Sequence, residues 1–223
     1  MKYPNFSEEK KLWRQGFEYV AGLDESGRGP LAGPVVAAAI MVRQTNKLKF
    51  LSLFHGLDDS KKLSEKQRKY FYEKLTTHKN IQWGIGVVSE KVIDKINILQ
   101  ATKLAMKRAF SNLARKQLDV GLSARRPTSS VVEFLLIDGN FGLQAKIPEK
   151  SIVKGDQKVF SIAAAGIIAK VTRDRIMKKM HKKFPHYNFV QHKGYGTKAH
   201  IAKLAQYGPC QIHRKTFFPV YEM

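Results

Sequence analysis

The stretch from Gly22 to Pro34 constrains the fold of this chain most strongly, because it joins an apolar run to two adjacent carboxylates and several glycines. Residues 19–23 are typical of a buried strand, and Asp24 and Glu25 follow them directly. Successive strand side chains point to opposite faces, so these acids share one site only if the strand bends or ends there. Two buried carboxylates also need a cation or hydrogen-bond donors to compensate them. We therefore expect a charged site at a strand end.

The glycines that follow have a spacing close to that of a dinucleotide-binding fingerprint, Gly27-x-Gly29-x-x-x-Gly33. That motif requires a helix after the glycines, with the pyrophosphate at its N-terminus. Here Pro34 leads into the apolar run 35–42, which predicts a second strand. The two acids would also face the pyrophosphate, so we exclude a dinucleotide site. A polar loop between two strands is the simpler alternative for this stretch.

The charge balance indicates a polyanionic partner. The 223 residues include 40 Lys and Arg against 18 Asp and Glu, a formal net charge of +22. Nucleic acid fits such an excess, although charge by itself names no partner. The single cysteine, Cys210, excludes an intramolecular disulfide and is typical of a reducing compartment. No apolar run reaches about eighteen residues, so we expect a cytoplasmic protein without a membrane partner.

Hydrophobic patterning predicts an α/β protein with a mixed five-stranded sheet flanked by helices. The predicted strands cover 17–23, 35–42, 82–88, 131–137 and 151–154. The predicted helices cover 65–75, 90–118, 160–183 and 198–206, and Ser64 with Gln67 forms a capping box before the first of them. We divide the chain into an N-terminal arm or helix (1–16), a catalytic domain (17–185) and a helical C-terminal region (186–223) that completes the substrate site.

Four acids fall where predicted strands end. Asp24 and Glu25 end the first strand, Asp138 ends the fourth, and Asp156 follows the fifth. The carboxyl ends of strands carry the site in open α/β sheets. Converging carboxylates favour Mg²⁺ or Mn²⁺, and two such ions about 4 Å apart can activate a water and stabilise the leaving oxygen of a phosphodiester. The acids would hold metal while the basic surface attracts a polyanion.

Some of these acids also have simpler interpretations. Asp138-Gly139 is a frequent turn pair, and Asp156 could cap a helix. We interpret Asp174 as the partner of an ion pair with Lys178, one turn further along the same helix.

Other metal and nucleophile motifs are missing from the sequence. The seven histidines show no H-E-x-x-H or Cys/His spacing, which argues against zinc. No G-x-S-x-G elbow is present. We interpret Asp58 and Asp59 as ordinary loop acids.

A series of short motifs runs from residue 17 to about residue 215: Gly22–Pro34, Asp59-Ser60-Lys61-Lys62-Leu63, Leu136-Ile137-Asp138-Gly139, Lys154-Gly155-Asp156, Ser161-Ile162-Ala163-Ala164-Ala165, Ala169-Lys170-Val171-Thr172-Arg173-Asp174, Gly194-Tyr195-Gly196-Thr197 and Ile212-His213-Arg214. In these motifs and in their order, the chain resembles a bacterial ribonuclease HII. The resemblance implies the ribonuclease H fold. It also implies endonucleolytic hydrolysis of RNA in RNA–DNA hybrids and at ribonucleotides embedded in duplex DNA, with cleavage 5′ of the ribonucleotide.

The resemblance assigns roles to individual residues. Asp24, Glu25, Asp138 and Asp156 would be the catalytic acids that bind two Mg²⁺ or Mn²⁺ ions, in a protein that we expect to be a monomer. The products would carry 5′-phosphate and 3′-hydroxyl ends. Gly27, Arg28 and Gly29 would contact the ribose 2′-hydroxyl, and Tyr195 would stack on the sugar. The basic surface separately makes Lys154, Arg28 and Lys170 candidates for contacts with phosphates. Lys170 could equally be a solvated helix residue, and Tyr195 could instead pack on the core.

The sequence departs from the family in two respects. Gly166 stands where the family usually has serine, which could loosen that helix or a phosphate contact. The segments 43–56 and 119–130 are also longer than usual. Arg28 argues against the sibling ribonuclease HIII. Two alternatives stay open: a transposase-like or junction-cutting nuclease on the same fold, and a non-catalytic protein that binds hybrids.

Overall fold

The computed structural model of the chain describes residues 3–42, 52–119 and 132–223. Its five strands form one mixed sheet: β1 (Val20–Ser26), β2 (Val35–Val42), β3 (Ile81–Val88), β4 (Phe134–Asp138) and β5 (Glu149–Ile152). Their order across the sheet is β3-β2-β1-β4-β5. The pairs β1–β2 and β2–β3 are antiparallel, whereas β1–β4 and β4–β5 are parallel. The predicted mixed five-stranded sheet is therefore confirmed.

Helices cover both faces of this sheet. They are α1 (Ser7–Arg14), α2 (Glu65–Thr77), α3 (Glu90–Asp119), α4 (Phe160–Lys183), α5 (Phe189–His192) and α6 (Lys198–Tyr207), with 3₁₀ turns at Gly155–Gln157, Pro185–Tyr187 and Val220–Glu222. One core lies between the sheet and α4, with α1 and α2 at its margin. The second core lies between the sheet and α3. No helix of the described ranges is both long enough and apolar enough to cross a bilayer.

Local sequence signals explain where α2 and the second part of α3 begin. The capping box before α2 is present: Ser64 Oγ accepts the Gln67 N–H, and Gln67 Oε1 accepts the Ser64 N–H. The predicted helix over 90–118 is interrupted at Asn97, whose φ of 63° and ψ of 166° are not helical. Asn97 Oδ1 accepts the N–H groups of Leu99 and Gln100, and so caps the second part of α3.

Long-range pairing decides the limits of the strands. The prediction ended the first strand at Leu23, but β1 pairs with β2 as far as Ser26. The fifth strand begins at Glu149 because its first residue pairs with Leu135 of β4. The segments 43–51 and 120–131, which hold most of the two long loops predicted from the sequence, lie outside the described residues.

The C-terminal residues pack against the loop that joins β1 and β2. Leu31 and Ala32 of this loop are buried in a third core together with residues from α4 to the C-terminus: Met177, Tyr187, Phe189, Leu204, Ile212 and Val220. The backbone of Leu31 donates to the Gly194 carbonyl and accepts from the Arg214 N–H, each at 2.8 Å. The loop after Asp24 and Glu25 is thereby joined to two distant motifs of the chain. The division into three regions stays a prediction.

A buried acid joins α1 to α4. Glu9 is 1% exposed, and its Oε1 accepts the Ser161 N–H at 3.0 Å, a donor in the first turn of α4. Glu9 Oε2 and Ser161 Oγ have no hydrogen-bond partner within the described residues. Burial raises the pKa of Glu9 from 4.5 to about 7. Because the folded protein holds this proton more tightly, the contribution of Glu9 to stability is complete below pH 4.5 and is lost as the pH rises through 7.

We expect Glu9→Gln to remove this pH dependence. The amide keeps an acceptor for the Ser161 N–H and adds a donor for Ser161 Oγ, without a buried charge. The variant should therefore gain free energy of unfolding over the wild type at pH 8, by at most about 3 kcal/mol, and little at pH 4. Urea unfolding at the two pH values measures this difference.

Glu8→Gln on the same helix is the matched control. The bonds of Glu8 to Lys11 and Lys150 lower its pKa, so this substitution should not stabilise the protein at pH 8. A Glu9→Gln variant with the same difference from wild type at both pH values would contradict the assignment of a buried proton to Glu9.

Candidate active site

Three of the four predicted acids meet at one edge of the sheet. The parallel register of β1 and β4 places Leu23 beside Ile137, so the next residues, Asp24 and Asp138, lie side by side on one sheet face. Asp156 lies in the 3₁₀ turn after β5. One carboxylate oxygen from each of these three acids lies within 4.8 Å of the other two. We call them the three-acid cluster.

Backbone donors hold two members of the cluster together. Asp138 Oδ1 accepts the N–H of Gly155 at 2.7 Å and that of Asp156 at 3.3 Å. The turn that carries Asp156 is thus attached to the end of β4. Asp156 does not cap α4, because the N-cap position of that helix is Val159. Gly139 has a φ of 106° in the bend that follows β4, so a glycine bend and a member of the acid cluster lie next to each other at Asp138-Gly139.

Glu25 is placed differently from the other predicted acids. We expected the strand to bend or end here, but β1 continues through Glu25 and Ser26, so Glu25 belongs to the opposite face from Asp24. Its Oε1 lies 3.5 Å from Arg28 Nη1. Burial raises the pKa of Glu25 to about 7 against the lowering effect of Arg28, and the charge of Asp138 raises it further. A role for Glu25 in metal binding stays a prediction.

The electrostatics of the cluster call for a cation. Burial raises the pKa of Asp24 well above its ordinary value, and the negative charges of Glu25, Asp138 and Asp156 add to this effect. Burial, followed by the charges of Asp138 and Asp59, raises the pKa of Asp156 to about 6. These carboxylates bear their charges side by side only at a cost in free energy that a bound cation would offset. The ligands are all oxygens, so the site fits a hard divalent ion.

Gly166 of α4 leaves the space that the Asp24 carboxylate occupies. A Cβ atom on Gly166 would lie 2.3 Å from Asp24 Oδ2, closer than non-bonded atoms approach. The helix continues without interruption across this residue. Gly166, which stands where the family usually has serine, therefore lies directly against the three-acid cluster. A larger side chain at this position would displace Asp24.

Lys61 is a site residue to which sequence reasoning gave no role. Its Nζ lies 3.7 Å from Asp156 Oδ2. Although burial alone would lower it, the pKa of Lys61 is raised because Asp59, Asp156, Asp24 and Asp138 favour the charged ammonium. Asp59, interpreted from the sequence as a loop acid, is buried and accepts the Lys61 N–H at 2.9 Å. The motif Asp59-Ser60-Lys61-Lys62-Leu63, one of the stretches that match the family, was the sequence signal that could have indicated a role for Lys61.

The motif Gly27-Arg28-Gly29 forms the rim beside the acids. Gly27 has a φ of 103°, and a Cβ there would lie 2.2 Å from Arg173 Nε, so only glycine fits this position. Arg28 and Gly29 are exposed. Arg28 is paired with Glu25, and its guanidinium carbon lies 5.7 Å from the centre of the Phe141 ring.

Two buried arginines bind the backbone of the loop that carries this rim. Arg173 and Arg214 are completely buried and donate to backbone carbonyls rather than to carboxylates. Their six acceptors are the carbonyls of Ala32, Pro34 and Lys193 for Arg173, and those of Gly27, Arg28 and Gly33 for Arg214. Sequence reasoning gave neither arginine a role, although both stood in the matching stretches. Because each lies far along the chain from the rim, no local pattern indicated these bonds.

Tyr195 lies beside the rim with its ring turned outward. It is 41% exposed, and a Cβ on Gly29 would lie 3.9 Å from its Cε1. Lys170 Nζ lies 6.0 Å from the centre of the ring. The structure therefore brings Gly29, Tyr195 and Lys170 into one patch, and it does not bury the Tyr195 ring in the core.

The two candidate lysines have different surroundings. Lys170 is 16% exposed at its side chain and pairs with Asp174 at 2.8 Å, so it is not a solvated helix residue. The predicted pair of Asp174 with Lys178 is wrong, because Lys178 reaches across to Glu65 of α2 at 2.6 Å. Lys154 is exposed and has a φ of 55° at the start of the turn that carries Asp156.

Solved structures resemble this fold over most of its length. Ribonuclease H2 from Pyrococcus horikoshii superposes with a TM-score of 0.66 at 25% identity, covering 92% of this chain and 96% of that one. The ribonuclease HII in a complex with PCNA from Archaeoglobus fulgidus has a TM-score of 0.61 at 22% identity, over 89% and 95% of the two chains. The second likeness supports the fold alone. Sheet, helices and acid cluster together define a protein of the ribonuclease H fold.

Sequence comparison gives the family. The ribonuclease HII family model matches residues 21–220. Ribonuclease HII of Chlamydia muridarum is 50% identical over 214 residues, which cover 96% of this chain and 88% of the relative. Ribonuclease HII of Bacillus cytotoxicus is 48% identical over 215 residues, which cover 96% and 74%. The chain belongs to the ribonuclease HII family and is a ribonuclease H, a hydrolase that acts on RNA.

Proposed function

We propose that this ribonuclease H is a metal-dependent endonuclease that cuts the RNA strand of RNA–DNA hybrids and also cuts 5′ of single ribonucleotides embedded in duplex DNA. The products would carry 5′-phosphate and 3′-hydroxyl ends. The observation that carries the proposal is the three-acid cluster, whose carboxylate oxygens lie within 4.8 Å of one another beside the rim of residues 27–29. Such a cluster, with Asp24 and Asp156 buried, in a chain with a net charge of +22, suits a metal centre that meets a polyanion.

The metal would be held by Asp24, Asp138 and Asp156, with Glu25 as a fourth ligand. All four offer carboxylate oxygens, as Mg²⁺ and Mn²⁺ prefer. Two bound ions would supply an activated water and would stabilise the leaving oxygen of the phosphodiester. The backbone N–H groups of Gly155 and Asp156 hold Asp138 in place for this task.

The remaining site residues would bind and orient the substrate. The ammonium of Lys61, at the margin of the acid cluster, suits a substrate phosphate. Lys170 and Lys154 are further candidates for phosphate contacts. Gly27, Arg28 and Gly29 would contact the ribose 2′-hydroxyl. Arg214 donates to the carbonyls of Gly27 and Arg28 and so fixes the backbone of this motif.

The proposal is tested with a DNA duplex that contains one ribonucleotide. We expect one cut 5′ of that nucleotide in Mg²⁺ or Mn²⁺, and no cut after EDTA treatment, because the carboxylates by themselves activate no water. End-labelled products separated by electrophoresis give the position of the cut and the chemistry of the ends.

Three control substrates separate the alternatives. A long RNA–DNA hybrid should also be cut, whereas an all-DNA duplex and a DNA junction should stay intact. Binding of hybrid without cleavage in either metal would favour the non-catalytic alternative. Cleavage of the DNA junction would favour the junction-cutting one, and cleavage that persists in EDTA would refute the metal requirement.

A further inference from the structure

Three histidines, which do not have the spacing of a zinc motif, lie together behind Tyr195. His192, His200 and His213 come from α5, from α6 and from the C-terminal segment, and each is at least nine-tenths buried. The rings of His192 and His200 stack with their centres 4.2 Å apart. Phe189 packs against all three rings. We call them the histidine group.

The hydrogen bonds of the group assign a proton to one nitrogen of each ring. His213 Nδ1 accepts the Cys210 N–H at 2.9 Å, so its Nε2 carries the proton. That Nε2–H donates to His200 Nε2 at 3.0 Å, which leaves the proton of His200 on Nδ1. His200 Nδ1–H donates to the Tyr195 carbonyl at 2.9 Å. The contact of His213 Nδ1 with the Cys210 carbonyl is longer, at 3.3 Å, and would need a proton on Nδ1, which would then oppose the Cys210 N–H at 2.9 Å.

The third ring, that of His192, binds the backbone on the N-terminal side of the turn that carries Tyr195. His192 Nε2–H donates to the Tyr187 carbonyl at 2.6 Å, and its Nδ1 accepts the Gly194 N–H at 3.1 Å. Imidazoles thus bind the peptide unit that follows the Tyr195 Cα atom and the unit between Lys193 and Gly194. The unit between them is bound by the main chain, because the Tyr195 N–H donates to the His192 carbonyl at 2.9 Å. Burial lowers the pKa of His192, and it lowers the pKa of His200 and of His213 to about 4, which agrees with three neutral rings.

We infer that His200, supported by His213, is a positioning residue that holds the Tyr195 backbone so that the phenol ring faces the rim of residues 27–29. The inference rests on the proposed role of Tyr195 at the ribonucleotide. The group donates no hydrogen bond to the phenol, so the orientation of the ring depends on the backbone of a turn between two glycines. The other bonds of this backbone are to main-chain groups: the Tyr195 N–H donates to the His192 carbonyl at 2.9 Å, and the Tyr195 carbonyl also accepts the Thr197 N–H at 2.8 Å. A small displacement of a group that orients substrate lowers the rate strongly.

Two substitutions at His200 separate positioning from packing. His200→Asn places an amide N–H near the Nδ1 position and keeps a donor for the Tyr195 carbonyl, but loses the bond with His213. His200→Gln places an oxygen near the Nε2 position and keeps the bond with His213, but loses the donor to Tyr195. Both remove an aromatic ring, so a role in packing alone would lower the melting temperature and the activity of both variants similarly.

We expect His200→Gln to lower kcat/KM on the single-ribonucleotide duplex about tenfold, and His200→Asn about twofold, at similar melting temperatures. His186→Gln, at an exposed histidine on a neighbouring turn, is the control and should match the wild type. Equal losses in the two His200 variants, or a smaller loss in His200→Gln, would overturn the inference. The proposed function would still stand in that case, as long as the wild type cuts the duplex. Wild-type activity in Tyr195→Ala would overturn the inference together with the role of Tyr195.

A spectroscopic measurement on the wild type covers the case in which neither variant folds. Nitrogen-15 NMR of the imidazoles at pH 7 should show His200 protonated at Nδ1 only, and His213 at Nε2 only. A cationic ring, or His200 protonated at Nε2, would break the chain of bonds to Tyr195 and would overturn the inference.

Discussion

Asp24→Asn and Asp138→Asn are each expected to lower the cleavage rate in Mg²⁺ by about a hundredfold to a thousandfold. Each substitution removes one charge of the three-acid cluster and keeps the size of the side chain. A metal centre is worth several kcal/mol of transition-state stabilisation, and each 1.4 kcal/mol is a factor of ten in rate. Single-turnover cleavage of the single-ribonucleotide duplex measures the loss.

The same variants should fold and should bind the hybrid. Burial and neighbouring charges raise the pKa of Asp24, so Asp24→Asn should melt no lower than the wild type in EDTA. It should also lose the rise in melting temperature that Mg²⁺ gives the wild type, because a ligand stabilises only the state that binds it.

Asp58→Asn, at a loop acid outside the cluster, is the matched control and should cut at the wild-type rate. If either cluster variant retained more than about a tenth of that rate, the assignment of the metal site would be wrong, since the loss would fall below the several kcal/mol expected of a metal ligand.

Tyr195→Ala is expected to lower cleavage at a single embedded ribonucleotide by about a hundredfold, with only a small change in melting temperature. The ring is 41% exposed at the rim of residues 27–29, so it contributes little to the core. A misplaced substrate loses about this much rate. Tyr195→Phe keeps the apolar face and should retain more activity if stacking on the sugar dominates.

Comparison of substrates shows whether Tyr195 reads the sugar. A site that binds the 2′-hydroxyl leaves polar groups unpaired when that hydroxyl is missing, which can discriminate about ten-thousandfold. Tyr195→Ala should therefore lose more on the single ribonucleotide than on a long hybrid, where every nucleotide of the RNA strand carries the hydroxyl. Wild-type cleavage of the single ribonucleotide by this variant would remove the role of Tyr195, although the metal site would stand.

Signals within a few residues of one another were predictable from the sequence. The capping box at Ser64 and Gln67 is satisfied by groups three residues apart, and it is present in the structure. The order of apolar runs predicted the mixed sheet, because burial imposes the period of each element locally. The acids at strand ends were predictable for the same reason, since Asp24 and Asp138 interrupt apolar runs.

Contacts between distant segments were decided by the tertiary structure alone. The pairing of β1 with β2 carries the strand past Asp24 and sets Glu25 on the opposite face. Folding also brings Lys61 to Asp156, and Arg214 to the carbonyls of residues 27 and 28. A lone lysine, arginine or histidine carries no periodicity that predicts its partner. The sequence by itself therefore determined the family, the sheet and the acids. Only the packed chain decided which side chains contact those acids and which side chains hold the turn at Tyr195 in place.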